Sequence, residues 1–261
     1  MTVDGYLSTL SNELVIRDSK KDSITLSILT LNIRLKSYFG SEVVDIIKFG
    51  SYSRGTILPR NFDEKSDVDV MVIFKNEHNF KPQTFLDKLK RFASAKYSTS
   101  EVYQSSPTIV LELNHIKFEL VPANKVYSWS NDTYNIPKSY STWMLTHPKS
   151  FDDTLVECNK NNNYKMKPII RLLKYWNIKK NYRELASFGL EKKTAEEMGL
   201  AYFFCSSYSD YVKEGLKTIR TYNSSYRFDL AIDKINQALT LEKEGKLYAA
   251  EIKIKEVFPG D

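Results

Sequence analysis

The sequence predicts an α+β fold, with strands gathered before residue 122 and helices before, among and after them. Two observations carry that reading. Residues 46–74, IIKFGSYSRGTILPRNFDEKSDVDVMVIF, divide into an apolar strand, a small-residue turn and a second strand with alternating acidic and apolar positions. From residue 165 onward, the apolar positions fall at helical spacing. At 261 residues the chain suits one large domain or two lobes, and the division expected is 1–150 and 151–261.

Residues 3–17 are expected to be helical. Asp22-Ser23 marks a helix start, and 23–39 reads as a long helix ended by Gly40. Its apolar positions Ile24, Leu26, Leu29, Leu31, Ile33, Leu35 and Phe39 scatter widely, so much of its girth should be covered. Residues 46–49 should be a buried strand, and Gly50-Ser51-Tyr52-Ser53-Arg54-Gly55-Thr56 a turn that opens a helix. In the strand 66–74, successive side chains point to opposite faces. Asp67 and Asp69 therefore share one face, with Val68 and Val70 on the other.

Two carboxylates side by side repel, and a protein tolerates this mainly when a cation sits between them. The turn before them offers backbone N–H groups and the Ser51 hydroxyl, which suit a phosphate. A phosphate cradle beside a divalent-metal site describes a nucleotidyl-transfer centre. The bland alternative is a glycine turn followed by a solvated acidic edge.

Residues 82–92 should form a helix with Pro82 in its first turn, followed by strands at 102–104 and 108–113. In 114–121, Ile116, Phe118 and Leu120 face one way, while His115, Lys117 and Glu119 face the other. Pro122 should stop this strand. Periodicity alone leaves Glu119 either a third metal ligand or a solvent-facing residue on an edge strand. Residues 123–163 are irregular and read as a connector; its Trp129, Tyr134, Tyr140 and Trp143 could stack on bases, but the reading favoured for each is that it pins the connector to the body.

The helix 165–180 has Ile169, Leu172, Leu173 and Trp176 on one face and Lys167, Arg171 and Lys174 on the other. That basic stripe is either a solvated surface or a grip on a triphosphate. Helices at 185–193 and 195–213 should bury Tyr202, Phe203, Phe204, Tyr208 and Tyr211, and a pair at 228–245 and 246–257 should be broken at Gly245.

The net charge of +6 favours polyanionic ligands without choosing between nucleotides and nucleic acid. Cys158 and Cys205 are too few for a disulfide framework, and no Cys/His cluster suggests zinc. No segment reads as a membrane span or signal peptide, so the expected location is the cytoplasm.

The order Gly-Ser-x-x-x-Gly-Thr followed by Asp-x-Asp on the next strand resembles the polymerase β-like nucleotidyltransferase superfamily. Further segments narrow the resemblance: Phe118-Glu119-Leu120-Val121-Pro122-Ala123, Lys167-Pro168-Ile169-Ile170-Arg171-Leu172-Leu173-Lys174-Tyr175-Trp176 and Ser187-Phe188-Gly189-Leu190-Glu191. With these, the chain resembles the bacterial cGAS/DncV-like nucleotidyltransferases (CD-NTases) of SMODS type, which make cyclic oligonucleotide second messengers in anti-phage (CBASS) defence.

The resemblance implies a polymerase β-like core, with a mixed sheet, flanking helices and an N-terminal helical spine. A helical C-terminal lobe would follow, with the active site in the cleft between the two. It implies two Mg²⁺ or Mn²⁺ ions held by Asp67, Asp69 and Glu119, which are also the catalytic set. Nucleotide binding falls to Gly50, Ser51, Lys174 and Ser187. The family usually has Asp where this chain has Glu119, and the segment around Gly189 is also unusual.

The implied partners are NTP substrates and a product-binding effector encoded nearby, with a monomeric enzyme and no membrane. No zinc-binding insertion is visible, so no nucleic-acid activator is expected. The alternatives are transfer to a small-molecule acceptor, RNA tailing, and a non-catalytic nucleotide sensor on the same scaffold. Residues 165–176 argue against the first, the lack of room for an RNA-binding domain against the second, and the presence of both aspartates against the third.

Overall fold

In the computed structural model the described residues are 1–105, 107–126, 133–197, 203–221 and 225–260. Their helices are α1 (Val3–Glu13), α2 (Asp18–Phe39), α3 (Gly50–Arg54), α4 (Pro82–Lys96), α5 (Ser150–Asn161), α6 (Met166–Lys179), α7 (Ser187–Glu197), α8 (Tyr208–Ile219), α9 (Ser225–Lys243) and α10 (Leu247–Lys255). The strands are β1 (Val43–Phe49), β2 (Asp67–Phe74), β3 (Glu101–Ser105), β4 (Thr108–Glu112), β5 (Lys117–Lys125), β6 (Tyr134–Pro137) and β7 (Trp143–Thr146). The chain forms two compact units, one of residues 16–60 and 65–152, the other of residues 1–15, 61–64 and 153–261.

The first unit is built on a mixed sheet of order β1-β2-β5-β4-β3, to which β6 and β7 are added beside the end of β5. β2 and β5 run parallel, whereas β1–β2, β4–β5, β3–β4, β5–β6 and β6–β7 are antiparallel. A parallel neighbour requires a crossover, supplied here by the stretch that contains α4, β3 and β4. One face of the sheet carries Val68, Val70, Val72 and Phe74 of β2 with Phe118 and Leu120 of β5. These pack under Ile24, Ile28, Leu31, Leu35 and Phe39 of α2 and Phe85, Leu86, Leu89 and Phe92 of α4. On the opposite face Met71, Ile73, Ala123 and Tyr134 make a smaller cluster.

Several expectations change in this unit. α2 starts a turn earlier, at Asp18, and only one stripe of it is buried: Leu26, Leu29 and Ile33 are exposed, because the helix lies on a single sheet face. β1 is half-exposed rather than buried, since it is the edge strand. Pro122 lies inside β5 instead of ending it. β4 pairs only with 117–120 and β6 only with 124–125, so a residue without an N–H interrupts no ladder on that side.

The supposed connector holds the end of β5, then β6, β7 and the whole of α5. In it Tyr134 is buried, and Trp143 packs on Phe85 and donates to the Phe80 carbonyl. Tyr140 is exposed, and Trp129 lies outside the described residues.

The second unit is helical and centred on α6. Every residue from Ile169 to Asn177 is buried, so Arg171 and Lys174 are not a solvated surface, while Lys167 is half-buried. The N-terminal segment was expected within 1–150, but α1 belongs here. Its Val3, Tyr6, Leu7 and Leu10 are buried, the Tyr6 hydroxyl donates to the Phe258 carbonyl (2.6 Å), and the Asp4 carboxylate accepts from the N–H groups of Tyr208 and Ser209 that begin α8. Tyr175 likewise donates to the Pro259 carbonyl, and Trp176 packs on Phe228.

The expected helix 195–213 is interrupted: Ser207 starts α8 with a capping box closed by Asp210. Phe203 and Phe204 before it are 82% and 87% exposed rather than core residues, whereas Tyr211 is buried. Tyr202 lies outside the described residues. Gly245, at φ +78°, separates α9 from α10 as expected. No helix among the described residues is long and apolar enough to cross a membrane.

Candidate active site

Strand alternation places Asp67 and Asp69 on the sheet face away from α2 and α4, and the parallel register then adds residues of β5 to that face. Asp69 lies opposite Glu119, and Asp67 opposite Lys117. The third acidic residue expected on a neighbouring strand is therefore beside the other two. All three carboxylate residues are half-buried.

Gly50 closes the site from the turn. Phe49 pairs with Asp69 at the end of β1, and the chain turns there into α3. A Cβ on Gly50 would lie 1.8 Å from Asp69 Oδ2 and 2.8 Å from its Cγ, and the residue has φ +74°. Both the contact and the dihedral require glycine. Ser51 is half-buried in the first turn of α3, and its carbonyl accepts from the N–H groups of Thr56 and Ile57, which ties the turn back on itself. Arg54 is buried, donates to Asp152 (3.3 Å) and stacks over Phe151.

The electrostatics are those of crowded anions. Burial, then the charges of Asp67 and Glu119, push the Asp69 carboxyl up to about 7, against the opposing pull of Arg54 and Lys117. Burial and Glu119 raise Asp67 as well. Lys117 bridges the set: its Nζ is 3.1 Å from Asp67 Oδ2 and 3.2 Å from Glu119 Oε1. Burial works to lower its pKa, but the two carboxylates outweigh that and hold it above the usual lysine range. Sequence reasoning gave Lys117 no role. The signal was present, because Lys117 stands two residues before Glu119 on the same strand face.

The donor set is all carboxylate oxygen, which suits hard divalent cations such as Mg²⁺ or Mn²⁺, and its mutual repulsion favours one. In donor chemistry the residues fit the expected ions. Their convergence is incomplete: among the described residues no three His, Cys, Asp or Glu side chains form a group that could hold a metal ion, and the Lys117 ammonium stands between two of the carboxylates.

Residues 1–159 match the family model described as the Second Messenger Oligonucleotide or Dinucleotide Synthetase domain, SMODS. The chain belongs to this family. It is a CD-NTase of SMODS type. One curated relative, a cyclic AMP-AMP-AMP synthase of Acinetobacter sp., is 26% identical over 196 residues, covering 72% of this chain and 55% of that protein. Across three such relatives the matched part spans 55–66% of their length.

Two solved structures share the fold. Escherichia coli CdnC, in complex with HORMA-deltaN, gives a TM-score of 0.73 at 14% identity, covering 98% of this chain and 96% of that one. Bradyrhizobium diazoefficiens CdnG, a CD-NTase in complex with GTP, gives 0.72 at 11% identity, covering 97% and 98%.

The remaining residues singled out in this SMODS chain lie in the helical unit. Ser187 is exposed at the first position of α7, where the helix dipole favours a phosphate. Lys174 is buried, and its Nζ donates to Glu191 Oε1 at 3.0 Å, with side-chain exposures of 7% and 0%. A phosphate contact by Lys174 therefore has to be shared with Glu191.

Three outcomes are expected. Gly50→Ala displaces the Asp69 carboxylate and lowers turnover by about 100-fold or more, while circular dichroism stays unchanged. A carboxyl whose folded pKa lies above its unfolded value stabilises the fold below the unfolded value, and that contribution is lost as pH rises through the folded one. Asp69→Asn is therefore more stable than wild type at pH 8 in chelator, by about 2–4 kcal/mol in urea titrations, and this advantage shrinks toward pH 4. Lys174→Ala removes the ammonium beside the buried Glu191 carboxylate and costs about 3–5 kcal/mol, whereas Lys174→Met combined with Glu191→Leu restores stability to within about 1 kcal/mol of wild type.

Proposed function

We propose that this CD-NTase is a cyclic oligonucleotide synthase. It transfers a nucleoside monophosphate from an NTP to a ribose hydroxyl, releases pyrophosphate, and closes the ring in a second transfer. The observation that carries this reading is the set Asp67, Asp69 and Glu119 on one sheet face, packed against a Gly50 that tolerates no side chain. Family membership and the cyclic AMP-AMP-AMP synthase among the relatives support it.

Asp67, Asp69 and Glu119 would hold the two divalent ions. When bound, such ions neutralise charge on the phosphates and lower the pKa of the attacking hydroxyl. Gly50 and Ser51 offer backbone N–H groups and a hydroxyl to the β- and γ-phosphates. Ser187, and Lys174 in company with Glu191, are the candidates for the triphosphate in the helical unit. The ribose oxygen bonds to the α-phosphorus as the bond to the bridging oxygen of pyrophosphate breaks, and the hydroxyl proton passes to a Glu119 carboxylate oxygen. Most of the acceleration comes from positioning and charge neutralisation.

The product is a cyclic di- or trinucleotide second messenger, read by an effector protein encoded nearby in anti-phage defence. The enzyme works as a cytoplasmic monomer and needs no nucleic-acid activator.

The test is incubation of the protein with four NTPs and Mg²⁺ or Mn²⁺, without nucleic acid, then phosphatase treatment and mass spectrometry. The expected result is a phosphatase-resistant cyclic product, absent from the folded double variant Asp67→Ala, Asp69→Ala. Linear oligomers alone point instead to a tailing enzyme. Turnover only with added DNA or RNA overturns the activator-free reading. Full activity in the double variant removes the carboxylates from the chemistry.

A further inference from the structure

The site contains a cation of its own, and it belongs to the protein. Lys117 Nζ touches Asp67 Oδ2 on one strand and Glu119 Oε1 on its neighbour, at 3.1 and 3.2 Å. The contact follows from the strand register. Lys117 pairs directly with Asp67 across the parallel ladder and precedes Glu119 by two residues, so all three side chains rise from the same face. Lys117 is itself well covered, with a side-chain exposure of 13%, and its ammonium lies between the two carboxylates rather than in solvent. Asp69 is arranged differently: it lies in close contact with Gly50, and the buried Arg54 guanidinium is paired with Asp152.

We infer that Lys117 is a built-in counter-cation that holds Asp67 and Glu119 together in the metal-free protein and competes with a divalent ion for them. The inference rests on the reading of Asp67, Asp69 and Glu119 as metal ligands. It makes Lys117 a positioning residue that sets metal affinity, and it gives the incomplete convergence of the three carboxylates a physical cause. An ammonium takes up two of the ligand oxygens, and it must swing aside for an ion to bind both. The long lysine stem allows that movement without a change in the backbone.

The test uses Mn²⁺ as probe, with free ion read by electron paramagnetic resonance and no nucleotide present, so the readout is independent of turnover. The expected result is that Lys117→Met binds Mn²⁺ at least 10-fold more tightly than wild type. Lys117→Gln, which keeps a donor without the charge, moves affinity the same way, and Lys117→Arg, which keeps the charge, stays near wild type. In chelator at pH 8, Lys117→Met melts below wild type, and saturating Mn²⁺ reverses that order.

If Lys117→Met and Lys117→Gln bind Mn²⁺ no more tightly than wild type while Asp69→Asn loses binding, the counter-cation role is overturned and the metal site stands. If Asp69→Asn binds Mn²⁺ as well as wild type, both the metal-site reading and this inference fall.

Discussion

Much of the sheet unit is arranged around one electrostatic constraint, three carboxylates held on one face of two adjacent strands. Neighbouring like charges oppose folding, and here burial adds to the penalty, as the upward displacement of Asp67 and Asp69 records. The penalty is contained by geometry. The opposite faces of β2 and β5 bury Val68, Val70, Phe118 and Leu120 under α2 and α4, and that apolar burial anchors the strands in a register that sets Asp69 beside Glu119. A shift by one residue would turn the carboxylates into the core and the valines outward.

The same constraint accounts for the turn and for the lysine. Asp69 comes so close to the backbone at residue 50 that only glycine fits, which couples β1, α3 and β2 into one rigid corner. Lys117 relieves the repulsion between Asp67 and Glu119 in the absence of other cations. Glu119 reaches this ammonium on an arm one methylene longer than an aspartate would offer.

The helical unit handles charge in the opposite way. α6 is covered on nearly every side, so its Lys174 cannot be solvated and is matched by Glu191, which is fully buried. A pair of this kind contributes little net stability but is costly to break on one side. It therefore fixes how α6 and α7 meet more than it strengthens them. The chain termini are tied into this unit by side chains that find backbone carbonyls, Tyr6 to Phe258 and Tyr175 to Pro259.

Local pattern in the sequence determined which side chains share a strand face, where Gly50 had to turn, and that α2, α4, α6 and the last two helices exist. These follow from periods of two and 3.6 residues and from the conformational limits of glycine, which need no knowledge of neighbours. Only the tertiary structure decided what each face meets. Pro122 sits inside a strand because the ladder beside it has a gap. The weakly patterned stretch after residue 125 forms β6 and β7 because the end of β5 offers free backbone groups. The polar side of α6 is buried because helices pack on it from more than one direction, and α1 joins the helical unit because its apolar face is completed there. Lys117 acquires its place from the pairing of β5 with β2, two strands brought together across a long crossover whose packing sets their register.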